Sequence, residues 1–301
     1  MGNELPTAEL GETGIRVSRL GFGTALWRPE REYWTEETAH GVYNAALDAG
    51  IDFIDTAFDY AFAEEWIGSG LGNRYGEFAL ATKCGCTNTR PEQNNSDHLW
   101  SRENLHYNID VSLERLGRDS IDILQPHNPT LAEFEDGDLG RALAEIRELG
   151  KASHIGISTT LPHLPAFLEM GVFATMQIPY SALEREHEEW ITKVAESGVG
   201  TIIRGGIAQG ENDSRQPAAK WEQFERAGLD DLRQNGESRS AFILRFTLSH
   251  PHVHTVIVGT SRAGHLAENV AAVRSGPLPP DVYAEAKARL DSIGQSPSPV
   301  G

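Results

Sequence analysis

Four polar residues in the first half of the chain are of types that could move a proton to or from a carbonyl oxygen. Asp55 closes the apolar run DFIDT, Lys83 closes FALATK, His127 follows DILQP, and Tyr60 lies five residues past Asp55. A tyrosine ionises near ~10, so on its own it gives up a proton sluggishly at neutral pH. An adjacent ammonium favours the phenolate, and a carboxylate can hold that ammonium in place. An imidazole nearby can hydrogen-bond and orient a carbonyl oxygen while hydride arrives from the other side. Each residue also has an ordinary explanation: Asp55 could cap the next helix, Tyr60 could be packing, and His127 before Asn128-Pro129 could be a turn residue. Lys83 could snorkel out of an apolar strand, although a lysine there is costly unless paired. Taken together, on three successive apolar runs, they point to one patch.

That patch exists only if the three runs are neighbours, and the chain's organisation makes them so. An amphipathic stretch ending in Gly is followed within a few residues by an apolar run: YNAALDAG then IDFIDTA, DVSLERLG then IDILQPH, ALAEIRELG then HIGIST, FLEMG then ATMQIPY, VAESG then GTIIRG. Gly tolerates the left-handed C-cap of a helix, and the β-branched run after it reads as a strand. Strand–helix–strand repetition implies parallel strands with helices outside the sheet. The strand candidates are RLGFGT, DFIDT, FALATK, DILQP, HIGIS, TMQIP, GTIIR and TVIVGT. Eight such strands close a barrel with a filled interior, a (β/α)8 TIM barrel, in which consecutive strands lie ~4.8 Å apart. A doubly wound open sheet is the competing architecture, but GFGTALW lacks the G-x-G-x-x-G turn it would want. We expect one domain over residues 1–301, with a core of about 9–275. Three segments exceed a minimal barrel: 86–100, 207–236 and the tail 277–301. The first two leave the carboxyl ends of strands, where barrel enzymes keep their active sites. Residues 207–236 carry Glu211, Asp213, Arg215 and Lys220 with Trp221 and Phe224 embedded, and could be a lid or a solvated excursion. The tail, ending GQSPSPV, reads as poorly ordered.

Composition narrows the partners. With 301 residues, 39% of them hydrophobic, the chain can bury a full core. A net charge of −18 argues against nucleic acid and anionic membranes. The acidity, with Arg far outnumbering Lys, could reflect genome composition or adaptation to high salt. No apolar run approaches the ~20 residues of a membrane span, and MGNELPTAELGETG has neither the basic end nor the apolar stretch of a signal peptide. A cytoplasmic protein is expected. Cys84 and Cys86 form a lone C-x-C without the second pair a structural zinc site would need, so no metal site is expected either.

DFIDTAFDY, FALATKCG and IDILQPHNP resemble the three tetrad-bearing stretches of the aldo-keto reductase superfamily, in the family's order, and AEEWIGSGL resembles the helix after its catalytic Tyr. ELGETGIRVSRLGFGT is similar to the family's amino-terminal hairpin and first strand, so the resemblance runs from about residue 9 to residue 275. It implies that Asp55, Tyr60, Lys83 and His127 form the catalytic tetrad, with Tyr60 as general acid in reduction. In HTVIVGTSRAGHLAENV, Gly259, Thr260 and Ser261 end a strand just before a helix, where free N–H groups and the helix dipole favour a phosphate. The stretch resembles the family's GTSNPEHLAEN signature. By that match Thr260, Arg262 and His265 would contact the 2′-phosphate of NADP, and Glu268 and Asn269 the adenine. Ser158 and Gln177 match the positions that hydrogen-bond the nicotinamide carboxamide. Two departures stand out: Thr159 replaces the usual Asn, and Arg204 stands where a tyrosine often stacks on nicotinamide. A guanidinium can lie flat on an aromatic ring, and its charge disfavours the oxidised cofactor. NADPH is the implied cofactor, with NADH possible. Trp27, Phe58 and Trp100 would give the substrate site an apolar mouth suited to small aldehydes or ketones. Two other readings remain at this stage. One is an NADPH-binding sensor or partner subunit with little turnover, such as the potassium-channel β subunits of this fold. The other is a barrel aldolase with Lys83 as Schiff-base nucleophile. The oligomeric state is not legible.

Overall fold

Residues 4–25, 35–87, 97–208 and 218–300 are described in the computed structural model of the chain. Thr7–Glu9 (β1) and Arg16–Ser18 (β2) pair antiparallel as a hairpin. Then come Leu20–Gly23 (β3), Phe53–Asp55 (β4), Ala79–Cys84 (β5), Ile121–Pro126 (β6), Ala152–Ser158 (β7), Thr175–Pro179 (β8), Gly200–Arg204 (β9) and Thr255–Val258 (β10). These eight close a barrel in the order β10-β3-β4-β5-β6-β7-β8-β9, every neighbouring pair parallel. Each coincides with one of the eight apolar runs read from the sequence, so the fold is a (β/α)8 TIM barrel carrying an amino-terminal hairpin.

The helices between them are Glu36–Asp48 (α1), Ala63–Leu71 (α2), Arg102–Leu116 (α3), Leu131–Asp136 (α4), Leu139–Glu148 (α5), Leu164–Glu169 (α6), Glu188–Glu196 (α7), Ala218–Arg226 (α8), Arg239–Ser249 (α9), Ala263–Arg274 (α10) and Pro280–Ser292 (α11). Local chemistry marks their ends. Ser101 caps α3 by accepting from the Asn104 N–H, and Thr130 with Glu133 forms a capping box on α4. The five glycines that close the amphipathic stretches, Gly50, Gly117, Gly150, Gly171 and Gly198, all adopt positive φ, between 64° and 94°. A side chain there would be strained, so these residues stop each helix and turn the chain toward the next strand.

Side chains alternate along a strand, so residues two apart share the barrel interior. At its amino-terminal end Phe53, Ala81, Ile123 and Ile202 pack with Leu10 and Val17 of the hairpin, which plugs the opening. The polar residues lie one layer up, toward the carboxyl ends of the strands.

Two segments differ from expectation. In 207–236, Trp221 and Phe224 are core residues, the Phe224 ring meeting Phe242 edge-on at 5.8 Å. Glu211, Asp213 and Arg215 lie outside the described residues. The tail is not a loose end. α11 buries Ala286 and Leu290, and the segment after it is fastened to Arg185. That guanidinium, 3% exposed, donates to Glu188 at 2.7 Å, to Asp291 at 2.8 Å and to the carbonyls of Lys287 and Gln295 at 3.2 and 3.0 Å. The Ser298 N–H donates to the Glu186 carbonyl at 3.0 Å. Pro and Ser content signalled disorder, but a buried cation needing acceptors decides otherwise.

Candidate active site

β4, β5, β6 and β8 each contribute one polar side chain to the layer above the apolar plug. Asp55, 2% exposed, accepts from Lys83 Nζ at 2.5 Å through Oδ2. Its Oδ1 accepts from the side-chain amides of Gln177 at 2.7 Å and Gln125 at 3.3 Å. Lys83, 1% exposed, also donates to the Thr56 carbonyl at 2.9 Å. Strand register explains the cluster, since Asp55 pairs with Ala81 and Lys83 with Gln125. Tyr60 comes from the loop after β4, and Lys83 Nζ lies 5.0 Å from the centroid of its ring. His127, at the end of β6, is held by its N–H bond to the Cys84 carbonyl at 3.0 Å, and its ring meets Tyr60 edge-on at 5.8 Å. The four residues singled out in the sequence therefore converge on one patch.

Their electrostatics depart from the sequence expectation at one point. Burial pushes the Tyr60 phenol up to about 12; the Lys83 charge pulls it down but does not prevail. The phenol is thus a retained proton, suited to donation more than to abstraction. For Lys83 burial opposes the ammonium, but Asp55 and then Tyr60 outweigh it and raise the pKa. A Schiff-base lysine needs the opposite shift, and an ammonium held by Asp55 at 2.5 Å speaks against the aldolase reading.

A cavity of about 340 Å³ opens beside Asp55 and Tyr60, over the ends of β3, β8, β9 and β10, with Gln177, Glu184, Arg204, Lys220 and Gly259 among its walls. Lys220 Nζ and Glu184 pair across it at 2.6 Å. Arg204 Nε is buried and makes no hydrogen bond among the described residues, and burial lowers the pKa of this guanidinium. A buried guanidinium with its Nε open to the cavity fits a flat aromatic or anionic group, as a nicotinamide cofactor would present. Gly259 joins this cavity to the segment leading into α10. That helix starts from Arg262 in extended conformation with no side-chain cap, so its first N–H groups stay available to a phosphate. Thr260 is buried and its hydroxyl accepts from the Arg262 N–H at 3.1 Å. Ser261 is half-buried, Arg262, His265 and Glu268 are exposed, and Asn269 is buried. Ser158 donates to Asn128 at 3.0 Å, and Thr159 beside it is buried and bonds the Gln177 carbonyl through its N–H at 3.1 Å.

The apolar mouth is corrected. Phe58 is buried beneath the Arg115 guanidinium at 4.7 Å and meets Tyr107 of α3 edge-on, so it packs the outside of the barrel. Trp100 does sit at the rim, stacked on His98 with ring centroids 5.0 Å apart and planes 2° off parallel. It fits because residue 85 is Gly at φ +100°; a Cβ there would lie 1.9 Å from the indole. Trp27 lies outside the described residues.

Sequence reasoning passed over Gln125, which shares the Asp55 carboxylate and stands in the quoted run DILQP. It also passed over Asp59 and His98, which gather at His127 with Cys86, a residue read from the sequence only as half of a C-x-C pair. Cys86 Sγ is 3.3 Å from His127 Nδ1, and Asp59 Oδ1 is 3.4 Å from the same nitrogen. Burial works against the Asp59 carboxylate, but hydrogen bonding and charge from His127 hold it at about 2. No metal-ligand spacing announced this group, because its members reach one another through loop geometry.

A model of the aldo/keto reductase family matches residues 19–291. L-galactose dehydrogenase of Arabidopsis thaliana is 25% identical over 320 residues, covering 97% of this chain and 96% of that one. The 6-dehydroglucose reductase of Novosphingobium aromaticivorans is 29% identical over 297 residues, covering 90% and 91%. Among solved structures, an aldo-keto reductase of Bacillus halodurans in its holo form superposes with a TM-score of 0.84 at 26% identity, over 95% of this chain and 96% of that one.

Proposed function

The chain belongs to the aldo/keto reductase family, and on that premise we propose that it reduces a polar carbonyl, of the sugar or sugar-derived class, to an alcohol with NADPH. Its nearest chemistry is oxidoreduction at carbonyl and alcohol groups. The observation that carries the reading is the buried Lys83 ammonium, tied to Asp55 at 2.5 Å and lying 5.0 Å from the Tyr60 ring.

In this reading Tyr60 donates the proton to the carbonyl oxygen, and Lys83 stabilises the phenolate left behind. Asp55 fixes Lys83, while Gln125 and Gln177 fix Asp55. His127 hydrogen-bonds and orients the carbonyl oxygen. Ser158, Thr159 and Gln177 would hold the nicotinamide amide, with Arg204 against the ring. Gly259, Thr260, Ser261, Arg262 and His265 would hold the phosphate end, and Glu268 and Asn269 the adenine. When bound, the reduced nicotinamide supplies the hydride. The Arg262 cation, with His265 as a further hydrogen-bonding group, favours NADPH over NADH, and Arg204 with the high Tyr60 pKa favours reduction over oxidation. A sugar carbonyl is supported by the names of two relatives and by the Glu184–Lys220 pair on the cavity wall. A cytoplasmic location is consistent with two unpaired cysteines, and among the described residues no helix is long and apolar enough to cross a membrane.

The test follows reduced-nicotinamide absorbance with both cofactors against aldoses, keto sugars and simple aldehydes. Tyr60→Phe should lower kcat by ~10²–10⁴ while cofactor binding persists. Tight NADPH binding without turnover of any carbonyl would favour the sensor or partner-subunit alternative.

A further inference from the structure

The group beyond His127 has the composition of a metal site, and nothing in carbonyl reduction accounts for it. One ligand atom each from Cys86, His98 and His127 lies within 4.8 Å of the others. In a tetrahedral site with metal–sulfur near ~2.3 Å and metal–nitrogen near ~2.0–2.1 Å, two nitrogens stand roughly 3.3–3.4 Å apart and sulfur and nitrogen roughly 3.5–3.6 Å. The Cys86 Sγ–His127 Nδ1 edge is already 3.3 Å. The remaining edges need to close by little more than ~1 Å, within reach of a side-chain rotation.

The backbone holds two of the three ligands in place. Cys86 and His98 are opposed in an antiparallel bridge, flanked by the Leu99 N–H to Gly85 carbonyl bond at 2.8 Å and the Thr87 N–H to Asp97 carbonyl bond at 3.0 Å. Stacking on Trp100 fixes the plane of the His98 ring. Among the described residues His98 Nε2 is buried without a hydrogen-bond partner, while Asp59 Oδ1 meets His127 Nδ1 at 3.4 Å. A buried, unpartnered ring nitrogen beside a thiol and a second imidazole is what a cation site without its ion presents.

We propose that Cys86, His98 and His127 bind one zinc-class divalent cation, with the fourth position open to water and the Asp59 carboxylate 3.4 Å from His127 beside it. A thiolate with two imidazoles selects borderline-soft ions such as Zn²⁺ or Co²⁺ over Mg²⁺ and Ca²⁺. Binding deprotonates the Cys86 thiol and releases that proton to solvent. The thiolate cancels one charge of the cation, and the neighbouring Asp59 carboxylate offsets the other. With Nδ1 of His127 ligated, its ring proton must reside on Nε2, which sets the tautomer of a tetrad residue. The site stands on its own geometry and does not depend on turnover.

The experiment uses full-length, tag-free protein stripped with chelator, desalted, and titrated with Co²⁺. One equivalent should produce a thiolate-to-cobalt charge-transfer band in the near ultraviolet and intense visible bands of tetrahedral Co²⁺, both abolished by Zn²⁺. Cys86→Ser should lose the charge-transfer band, and Cys84→Ser should keep it. His98→Ala should weaken binding by at least about tenfold, since even outer partners of metal ligands are worth ~10–100-fold. Near-ultraviolet circular dichroism checks that the variants fold. X-ray absorption of the zinc-loaded wild type, which needs no variant, should show one sulfur among nitrogen and oxygen scatterers. No charge-transfer band in the wild type, a band that survives Cys86→Ser, or a shell without sulfur would overturn the proposal.

Discussion

Two adjacent layers of the barrel interior come from the same strands and do opposite work. Below, Phe53, Ala81 and Ile123 meet the hairpin residues Leu10 and Val17 in an all-apolar plug. Two residues further along the same three strands, Asp55, Lys83 and Gln125 form a hydrogen-bonded polar group. The sheet supplies both layers with one geometry, so chemistry is decided by which register position carries charge. The lower layer also serves the upper: it excludes water beneath Lys83 and Asp55, which strengthens their attraction and raises the Tyr60 pKa.

The contrast is breakable from either side. The largest effect is expected for Lys83→Met in the upper layer. It leaves the Asp55 carboxylate buried without its cation, at a cost of ~3–5 kcal/mol in unfolding free energy. Carbonyl reduction should fall by more than about a hundredfold along with it. Denaturant melts that match wild type would mean that the ion pair holds nothing. In the lower layer Ile123→Ala should cost ~2–5 kcal/mol by opening a cavity, while kcat per folded molecule stays within about threefold of wild type. A drop in kcat as large as that of Lys83→Met would erase the division between the layers. The smallest effect sharpens it. Alcohol oxidation needs Tyr60 as base, and a phenol raised to about 12 is mostly protonated through the accessible range. Measured with chelator present, oxidation should climb steadily from about pH 7 to about pH 10, whereas reduction, which uses the protonated phenol, should not rise. A plateau near the ordinary tyrosine value of ~10 or below would show that the Lys83 charge prevails over burial.

The upper layer was legible because strands advertise themselves. A charged residue closing an apolar run is conspicuous, and strand order alone makes Asp55, Lys83 and His127 neighbours. Gln125 lies in the same run as His127, but an uncharged amide inside a strand gives no signal until its partner is known. Phe58 misled because a loop residue has no alternation to say which way it faces; contact with Arg115 and Tyr107 turns it outward. Cys86 and His98 are brought together by a ladder across a loop, and that pairing depends on hydrogen bonds that leave no periodic trace. The pull of Lys83 on Tyr60 has the expected sign, but burial outweighs it, and desolvation cannot be read from order along the chain.

Arg185 gives the fold a direction in time. Glu188 meets this cation from within its own turn, but Asp291 and the carbonyls of Lys287 and Gln295 come from a segment roughly a hundred residues later in synthesis. A nascent chain halted before residue 287 keeps only Glu188 among these acceptors for a guanidinium that the fold conceals. The seal over Arg185 therefore waits on a stretch made about a hundred residues after the arginine itself.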